Sequence, residues 1–164
     1  MSDLPVATDT PVRRPPNVIH ATWLGDHVFD TGRVGGPQAR IDGSAQSGQS
    51  PPDVLLSALA TCSGIDVIDI LGKRRTPVES LTVEVAGDRR SEMPRRFEHL
   101  VLTFRVNGAG IDRVHAERAV QLAFEKYCSV AATLAPDIVA ETVVVLNGAP
   151  GESIRQQIFA AGPG

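Results

Sequence analysis

The feature that most constrains the fold is one long apolar helix near the middle of the chain. Residues 50–72 read SPPDVLLSALATCSGIDVIDILG. Ser50 suits the N-cap, proline suits the first helical position, and Asp53 lies near the positive end of the helix dipole. Gly72 and the basic residues after it are stop signals, so the helix has about 22 residues and a length of ~33 Å. Because it is apolar around most of its circumference, it must be covered on more than one side.

Strand patterns occur in runs on both sides of this helix. Short strand candidates precede it, and two long segments with period-two alternation follow it, joined by SEMPR as a hairpin. A second helix begins at Asp112, and a short helical piece and a last strand come after it. The predicted segments are 17–23, 27–31, 37–43, 78–90, 97–108, 112–128, 129–135 and 140–148. The order βββ–α–ββ–α–α–β indicates an α+β fold, because the strands come in runs.

The chain length of 164 residues suits one domain with a substantial core. Residues 1–16 contain four prolines and are predicted to be a flexible tail. Residues 17–147 are predicted to form the single domain. Residues 148–164 are predicted to be a second tail, with a short helix around residues 154–159.

Composition narrows the cellular setting and the class of partner. A net charge of −3 gives no reason to expect nucleic acid or an anionic membrane as a partner. Apolar runs fall short of the roughly 18 residues that a membrane span needs, and no apolar signal-peptide segment is recognised. We therefore expect a cytoplasmic protein whose thiols are reduced. Two cysteines exclude a structural disulfide framework but leave open a redox pair.

The two cysteines are the main candidates for chemistry. Free cysteine is often buried as a small hydrophobe, so packing alone is one interpretation of Cys62. Cys128 lies between two predicted helices, and Ser129 can begin the second of them. That position places the Cys128 sulfur near free N–H groups, which is expected to lower the pKa of its thiol.

The helix also carries two carboxylates on the side of Cys62. At 100° per residue, Asp66 and Asp69 share a side of the helix with Leu55, Leu59 and Cys62. Carboxylates beside a thiol disfavour the thiolate, so a reactive Cys62 requires a cation from elsewhere in the chain. The alternative is that both carboxylates pair locally at a polar edge of the helix.

These motifs resemble one known superfamily. SPPDVLLSALATCSGIDVIDIL and EKYCSVAATL, at this separation, resemble the osmotically inducible protein C and organic hydroperoxide resistance proteins. The resemblance covers residues 17–146, and GDRRSEMPRRFEHLVLTFRVNG is similar to a branch whose type member is uncharacterised. It implies an intertwined homodimer in which the long cysteine-bearing helix packs against curved antiparallel sheets.

The resemblance also implies an activity. In such proteins the first cysteine attacks the peroxide O–O bond and becomes a sulfenic acid. The second cysteine condenses with it to a disulfide, which a dithiol reductant then opens. By position, Cys62 would be the peroxidatic cysteine and Cys128 the resolving one, as the oxidation chemistry of thiols allows. The implied substrates are organic hydroperoxides, and the implied role is defence against oxidative stress. No cofactor is expected.

Two features of the family pattern are missing. The family has a glutamate ten residues before the first cysteine, where this chain has Pro52, and the nearby acid is Asp53. The family arginine after the first strand is also missing, and His27 stands in that turn, with Arg40 further along the chain. The alternative is therefore a non-enzymatic small-molecule-binding or redox-sensing protein that keeps the fold.

The remaining candidates are a cation, a pocket and the histidines. The basic cluster DRRSEMPRR is most simply a solvated hairpin end, but an arginine such as Arg95 is a candidate cation for the site. An apolar substrate pocket is predicted, and its candidate lining residues are Leu55, Leu59, Phe97 and Phe124. The four histidines have no metal-ligand spacing with either cysteine, so no metal site is predicted.

Overall fold

A computed structural model of the protein describes residues 15–158. The chain divides into two compact units between Ser50 and Pro51, and the single domain expected for residues 17–147 stays a prediction. Of the tails predicted at residues 1–16 and 148–164, residues 1–14 and 159–164 lie outside the described residues.

The first unit is a three-stranded antiparallel sheet. Its strands β1 (His20–Gly25), β2 (Val28–Gly32) and β3 (Gln38–Asp42) are arranged in sequence order. Gly25 and Asp26 both have positive φ, at 120° and 44°, as a tight hairpin turn requires. The three strands predicted here are confirmed to within three residues at each end.

The second unit contains the helices and a four-stranded sheet. Its elements in chain order are α1 (Pro51–Lys73), β4 (Ser80–Arg89), β5 (Phe97–Asn107), α2 (Arg113–Leu122), a π-helical turn (Ala123–Tyr127), α3 (Ser129–Thr133), β6 (Val139–Leu146) and β7 (Ala149–Gln156). The long helix is confirmed and begins at Pro51 as predicted. Asp112 is the N-cap of α2, and its side chain accepts a hydrogen bond from the backbone N–H of His115.

The larger sheet is mixed, with the strand order β4-β5-β6-β7. β4 and β5 form the predicted antiparallel hairpin, whereas β5 and β6 are parallel. A parallel pair needs a long crossover, and α2, the π-helical turn and α3 supply it. The expectation of purely antiparallel sheets is therefore wrong for this unit.

The segment after residue 148 is a strand, so the short helix predicted around residues 154–159 is wrong. β7 pairs antiparallel with β6 through a turn in which Asn147 and Gly148 have φ of 48° and 83°. An Asn-Gly pair suits such a turn because both residues tolerate positive φ. Near the end of β7, the buried Gln156 side chain donates a hydrogen bond to the Thr142 hydroxyl at 2.8 Å.

The core of the second unit lies between α1, α2 and the sheet. The alternating residues of β5 that were expected to face inward are all buried: Phe97, Leu100, Leu102, Phe104 and Val106. α1 adds Leu59, Val67 and Leu71 to the same cluster and contacts β4, α2 and α3. Burial of each large apolar side chain stabilises the fold by ~1.5–3 kcal/mol.

By length and composition alone, α1 is long and apolar enough to cross a membrane. Its mean hydropathy over an 18-residue window is 1.9, so the expectation that every apolar run is too short for a span is wrong. Its contacts with β4, α2 and α3 are those of a core helix.

Candidate active site

The packing of α1 against α3 brings together the two cysteines, which are 66 positions apart in the sequence. Cys62 lies in the middle of α1, and Cys128 is the N-cap of α3. The two sulfur atoms and a carboxylate oxygen of Asp66 all lie within 4.8 Å of one another. We call these three residues the thiol–carboxylate cluster.

Helix geometry explains the place of Asp66. It follows Cys62 by four positions, so the two side chains lie on one face of α1 and one turn apart. Of the face predicted from the sequence, the structure confirms that Cys62 and Asp66 lie together, whereas Leu59 is in the core and Asp69 is exposed. Both cysteines are free thiols, and a disulfide would bring their sulfur atoms to about 2.05 Å.

Cys128 is fully buried, and this environment decides the ionisation of its thiol. The backbone N–H of Ala131 donates a hydrogen bond to its sulfur at 3.4 Å, as expected for a cysteine at a helix start. Burial outweighs that bond and raises the pKa of the Cys128 thiol to about 12, with smaller contributions from Cys62 and Asp66. The predicted lowering of the Cys128 pKa is therefore wrong, because the site is too far from solvent.

Cys62 is the more accessible of the two thiols. Its side chain is partly exposed, whereas Cys128 is 0% exposed. The Cys62 sulfur lies 3.9 Å from the hydroxyl oxygen of Ser129, the first residue of α3. Ser129 was not among the predicted site residues, although its position directly after Cys128 places it in the same region.

Asp66 is a carboxyl group in an apolar setting. Its Oδ2 atom is shielded from solvent and has no hydrogen-bond partner among residues 15–158. Burial, and to a lesser extent the charge of Asp69, raise the pKa of Asp66 above its ordinary value. A buried carboxyl oxygen without a hydrogen-bond partner destabilises the folded protein. Groups with perturbed pKa values are concentrated at functional sites, which makes Asp66 a candidate site residue.

A pocket of about 710 Å³ lies beside this cluster in the second unit. Residues from α1, α3, β5 and the segment before β6 line it, among them Leu55, Ala58, Phe97, Ser129, Leu134 and Ile138. Ser129 both lines the pocket and approaches Cys62. Ser129 therefore lies between the pocket and the accessible thiol of Cys62.

Two of the four predicted pocket residues line this pocket. Leu55 and Phe97 do so, whereas Leu59 and Phe124 are 1% and 0% exposed and belong to the core. The difference between the predicted set and the lining of this pocket arises because neighbouring faces of α1 differ by single helical steps, and the sequence does not show which face α2 and the sheet cover. The lining residues of α3 were missed, although Val130, Thr133 and Leu134 follow the i, i+3, i+4 spacing of one helix face.

Three arginines of the β4–β5 hairpin border the pocket. The Arg89 guanidinium lies 5.8 Å from the centre of the Phe97 ring and donates a hydrogen bond to the backbone oxygen of Arg95. Arg96 pairs with both carboxylate oxygens of Asp137. The Arg95 side chain has no hydrogen-bond or ion-pair partner within the part of the chain that the structure describes, so its charge is available to a ligand.

The other candidate accessory residues are outside the thiol–carboxylate cluster. Asp53 is exposed in the first turn of α1. His27 and Arg40 lie in the first unit, where Arg40 forms two hydrogen bonds with Asp30 at 2.8 and 3.0 Å. Their accessory roles remain predictions.

The thiol–carboxylate cluster has the chemistry of a metal-binding group as well as of a redox pair. Thiolates and carboxylates both bind Zn²⁺, and Cys62, Asp66 and Cys128 each offer one ligand atom. A structural zinc site usually has four protein ligands, whereas this cluster offers three.

Comparison with known proteins gives the family. The sequence model of the OsmC-like protein family matches residues 43–143, which are more than half of the chain. The chain belongs to the OsmC-like family. It is similar to protein YhfA of Escherichia coli strain K12, with 40% identity over 113 residues, which are 68% of this chain and 84% of YhfA.

Several solved structures have a similar fold. A hypothetical protein from Aquifex aeolicus VF5 is 25% identical with a TM-score of 0.74, over 82% of this chain and 98% of that one. The organic hydroperoxide resistance protein OhrB of Bacillus subtilis is 19% identical with a TM-score of 0.52, over 79% of this chain and 96% of OhrB. At this identity, the likeness to OhrB shows the fold alone.

Proposed function

We propose that the protein is a thiol-dependent peroxidase that reduces organic hydroperoxides. The observation that carries the proposal is the pair of free thiols within 4.8 Å of each other, one of them beside an apolar pocket. Two adjacent thiols can be oxidised together to a disulfide, and an apolar pocket selects an organic substrate over hydrogen peroxide.

In the first step Cys62 attacks the hydroperoxide. Its sulfur displaces the alcohol from the O–O bond, which oxidises the thiol to a sulfenic acid and reduces ROOH to ROH. Cys62 is assigned this role because its side chain is partly exposed and approaches the pocket through Ser129. Cys128 is too deeply buried to meet a substrate first.

In the second step Cys128 resolves the sulfenic acid. Its sulfur attacks the Cys62 sulfur, the S–O bond breaks, and a disulfide and one water molecule form. A dithiol reductant then returns both cysteines to thiols and is itself oxidised to a disulfide. The resolving thiol protects Cys62 from irreversible oxidation to sulfinic acid.

Membership of the OsmC-like family supports this assignment. The fold is shared with OhrB of Bacillus subtilis, an organic hydroperoxide resistance protein. Because the family glutamate and arginine have no counterparts at the matching positions, the proposal rests on the two cysteines and the pocket.

The test is consumption of cumene hydroperoxide coupled to a dithiol, with wild type compared with Cys62→Ser and Cys128→Ser. We expect Cys62→Ser to lose turnover because the peroxidatic sulfur is gone. One equivalent of hydroperoxide should give wild type an intramolecular disulfide by mass spectrometry. Cys128→Ser should instead accumulate sulfenic and then sulfinic acid at Cys62. Equal turnover in wild type and Cys62→Ser would rule out the proposal.

The second candidate is a ligand-binding or redox-sensing protein without efficient turnover. It is favoured by the carboxyl group beside the thiols, since Asp66 disfavours a thiolate at Cys128 and no cation among the described residues acts on that thiol. Stoichiometric oxidation by hydroperoxide without multiple turnovers would support this candidate. Rapid, repeated turnover would exclude it.

A further inference from the structure

We propose that Asp66 accepts the proton of Cys128 during disulfide formation and delivers it to the oxygen that leaves Cys62. The inference rests on the proposed function, because it concerns the second step of the peroxidase cycle. It assigns to a residue of this chain the acid–base chemistry that the resolving step requires.

The geometry places the three reacting groups together. A carboxylate oxygen of Asp66 and the two sulfur atoms lie within 4.8 Å of one another. Proton transfer requires a side-chain movement that brings the carboxylate oxygen within hydrogen-bonding distance of the Cys128 sulfur. Asp66 and Cys62 are also fixed on one face of α1, so the carboxyl group stays beside the sulfenic acid as it forms.

The chemistry of Cys128 creates the need for a base. Only a thiolate attacks a sulfenic acid efficiently, and burial keeps Cys128 protonated at neutral pH. Its position excludes solvent, since the side chain is 0% exposed. The base therefore has to come from the protein and has to lie next to Cys128.

Asp66 has the properties of such a base. Its Oδ2 atom is buried and lacks a hydrogen-bond partner among the described residues, so it is free to accept a proton. Burial and Asp69 raise its pKa, which makes it a stronger base than an exposed aspartate. Asp69 is the charged neighbour that acts on it, and Cys62 and Cys128 are its titratable neighbours in the cluster.

The proton balance closes without another reactant. The Asp66 carboxylate takes the proton from the Cys128 thiol, and the resulting thiolate forms the S–S bond to Cys62. The S–O bond of the sulfenic acid breaks with its electron pair on oxygen. The Asp66 carboxylic acid gives the proton to this oxygen, which leaves as water, and the carboxylate is restored.

The test separates the two steps in a single turnover. Wild type, Asp66→Asn and Asp69→Asn are mixed with one equivalent of cumene hydroperoxide, and samples quenched with acid are analysed by mass spectrometry. Asp66→Asn keeps the shape of the side chain and removes the base. Asp69→Asn is the matched control, because it removes an exposed carboxylate less than one turn further along α1.

We expect Asp66→Asn to form the sulfenic acid at the wild-type rate or faster and to form the disulfide at least about 100-fold more slowly. Sulfinic acid should then accumulate at Cys62 when hydroperoxide is in excess. Asp69→Asn removes the smaller of the two influences that raise the pKa of Asp66, so it should form the sulfenic acid at about the wild-type rate and the disulfide no more than about threefold more slowly. A disulfide that forms at the wild-type rate in Asp66→Asn would overturn the inference and leave the proposed function intact. Wild-type protein that forms neither product would overturn the proposed function itself.

A second measurement uses wild type alone and therefore does not depend on the folding of a variant. If solvent hydroxide removed the Cys128 proton, the rate of disulfide formation would rise about tenfold per pH unit, because the thiol pKa is about 12. With Asp66 as the base, the rate should not rise between pH 7 and 9. A tenfold rise per unit over this range would contradict the proposal. A level rate in wild type and a steep one in Asp66→Asn would support it.

Discussion

Asp42 shows how one carboxylate can organise a whole loop. Its Oδ1 atom accepts hydrogen bonds from the backbone N–H and the hydroxyl of Ser44, at 2.8 and 2.6 Å. Its Oδ2 atom accepts them from the N–H groups of Gln46 and Ser47 and from the Ser47 hydroxyl. These donors hold the pKa of Asp42 well below its ordinary value.

This arrangement predicts a pH dependence for the order of the loop. The folded pKa is lowered, so the stabilisation is complete above the ordinary aspartate value of about 3.9 and is lost as the pH falls towards the folded pKa. Hydrogen exchange should show amide protection at Ser44 and Ser47 at pH 7, decreasing only well below pH 4. Asp42→Ala should lose that protection at pH 7, whereas unchanged protection would contradict the role of the carboxylate.

At the scale of elements, the β4–β5 hairpin places a free cation at the edge of an apolar pocket. The Arg95 guanidinium has no ion-pair partner among the described residues, unlike Arg96 on the same hairpin. If the pocket binds the hydroperoxide, Arg95 should attract a substrate with a carboxylate at its far end. Because Arg95 is exposed, its contribution is that of a surface ion pair, ~0.2–1 kcal/mol.

The prediction is a change in KM that depends on the charge of the substrate. Arg95→Gln should raise KM for a fatty-acid hydroperoxide by about twofold to fivefold and leave KM for uncharged cumene hydroperoxide unchanged. Arg105→Gln removes an exposed arginine of β5 that does not line the pocket, and it should change neither KM. Equal effects of Arg95→Gln on both substrates would show that the residue does not recognise the carboxylate.

The elements show which parts of the structure can be predicted from the sequence. α1 and β5 were predictable because helix-start residues and period-two alternation are local signals. β7 was missed because its Gly, Pro and alternating polar residues match no strand pattern, and pairing with β6 makes it a strand. The pKa of Cys128 was misjudged for a related reason, since the helix start is local but burial depends on the packing of distant segments.

The candidate site also contains features that the sequence predicts and features that it does not. The proximity of Cys62 and Cys128 followed from the resemblance to a family, and the place of Asp66 followed from helical spacing. The pocket depends on which face of α1 the sheet covers, so Leu55 lines the pocket and Leu59 lies in the core. Contacts across the fold therefore determine both the lining of the pocket and the ionisation of Cys128, whereas the shared face of Cys62 and Asp66 follows from helical spacing.

At the scale of the whole molecule, the exposed apolar face of α1 calls for a covering partner. Ile65 and Ile68 are 59% and 45% exposed and lie on one stripe of the helix. Together with Leu81 and Val83 of β4 they line a groove of about 330 Å³. A patch of this kind is typical of a protein–protein interface. We propose that a second copy of the chain covers it, as the resemblance to the family implies.

We predict that the protein is a homodimer and that a single charged residue introduced on this face of α1 disrupts it. Light scattering at micromolar concentration should give a mass near twice 17.4 kDa for wild type. Ile65→Asp and Ile68→Asp should shift the mass towards the monomer, because each would bury an unpaired carboxylate in the interface. Val114→Asp makes the same change at an apolar residue of α2 that is 73% exposed, and it should remain a dimer. A compact wild-type monomer would contradict the proposal, and an Ile65→Asp dimer would show that the partner lies on another face.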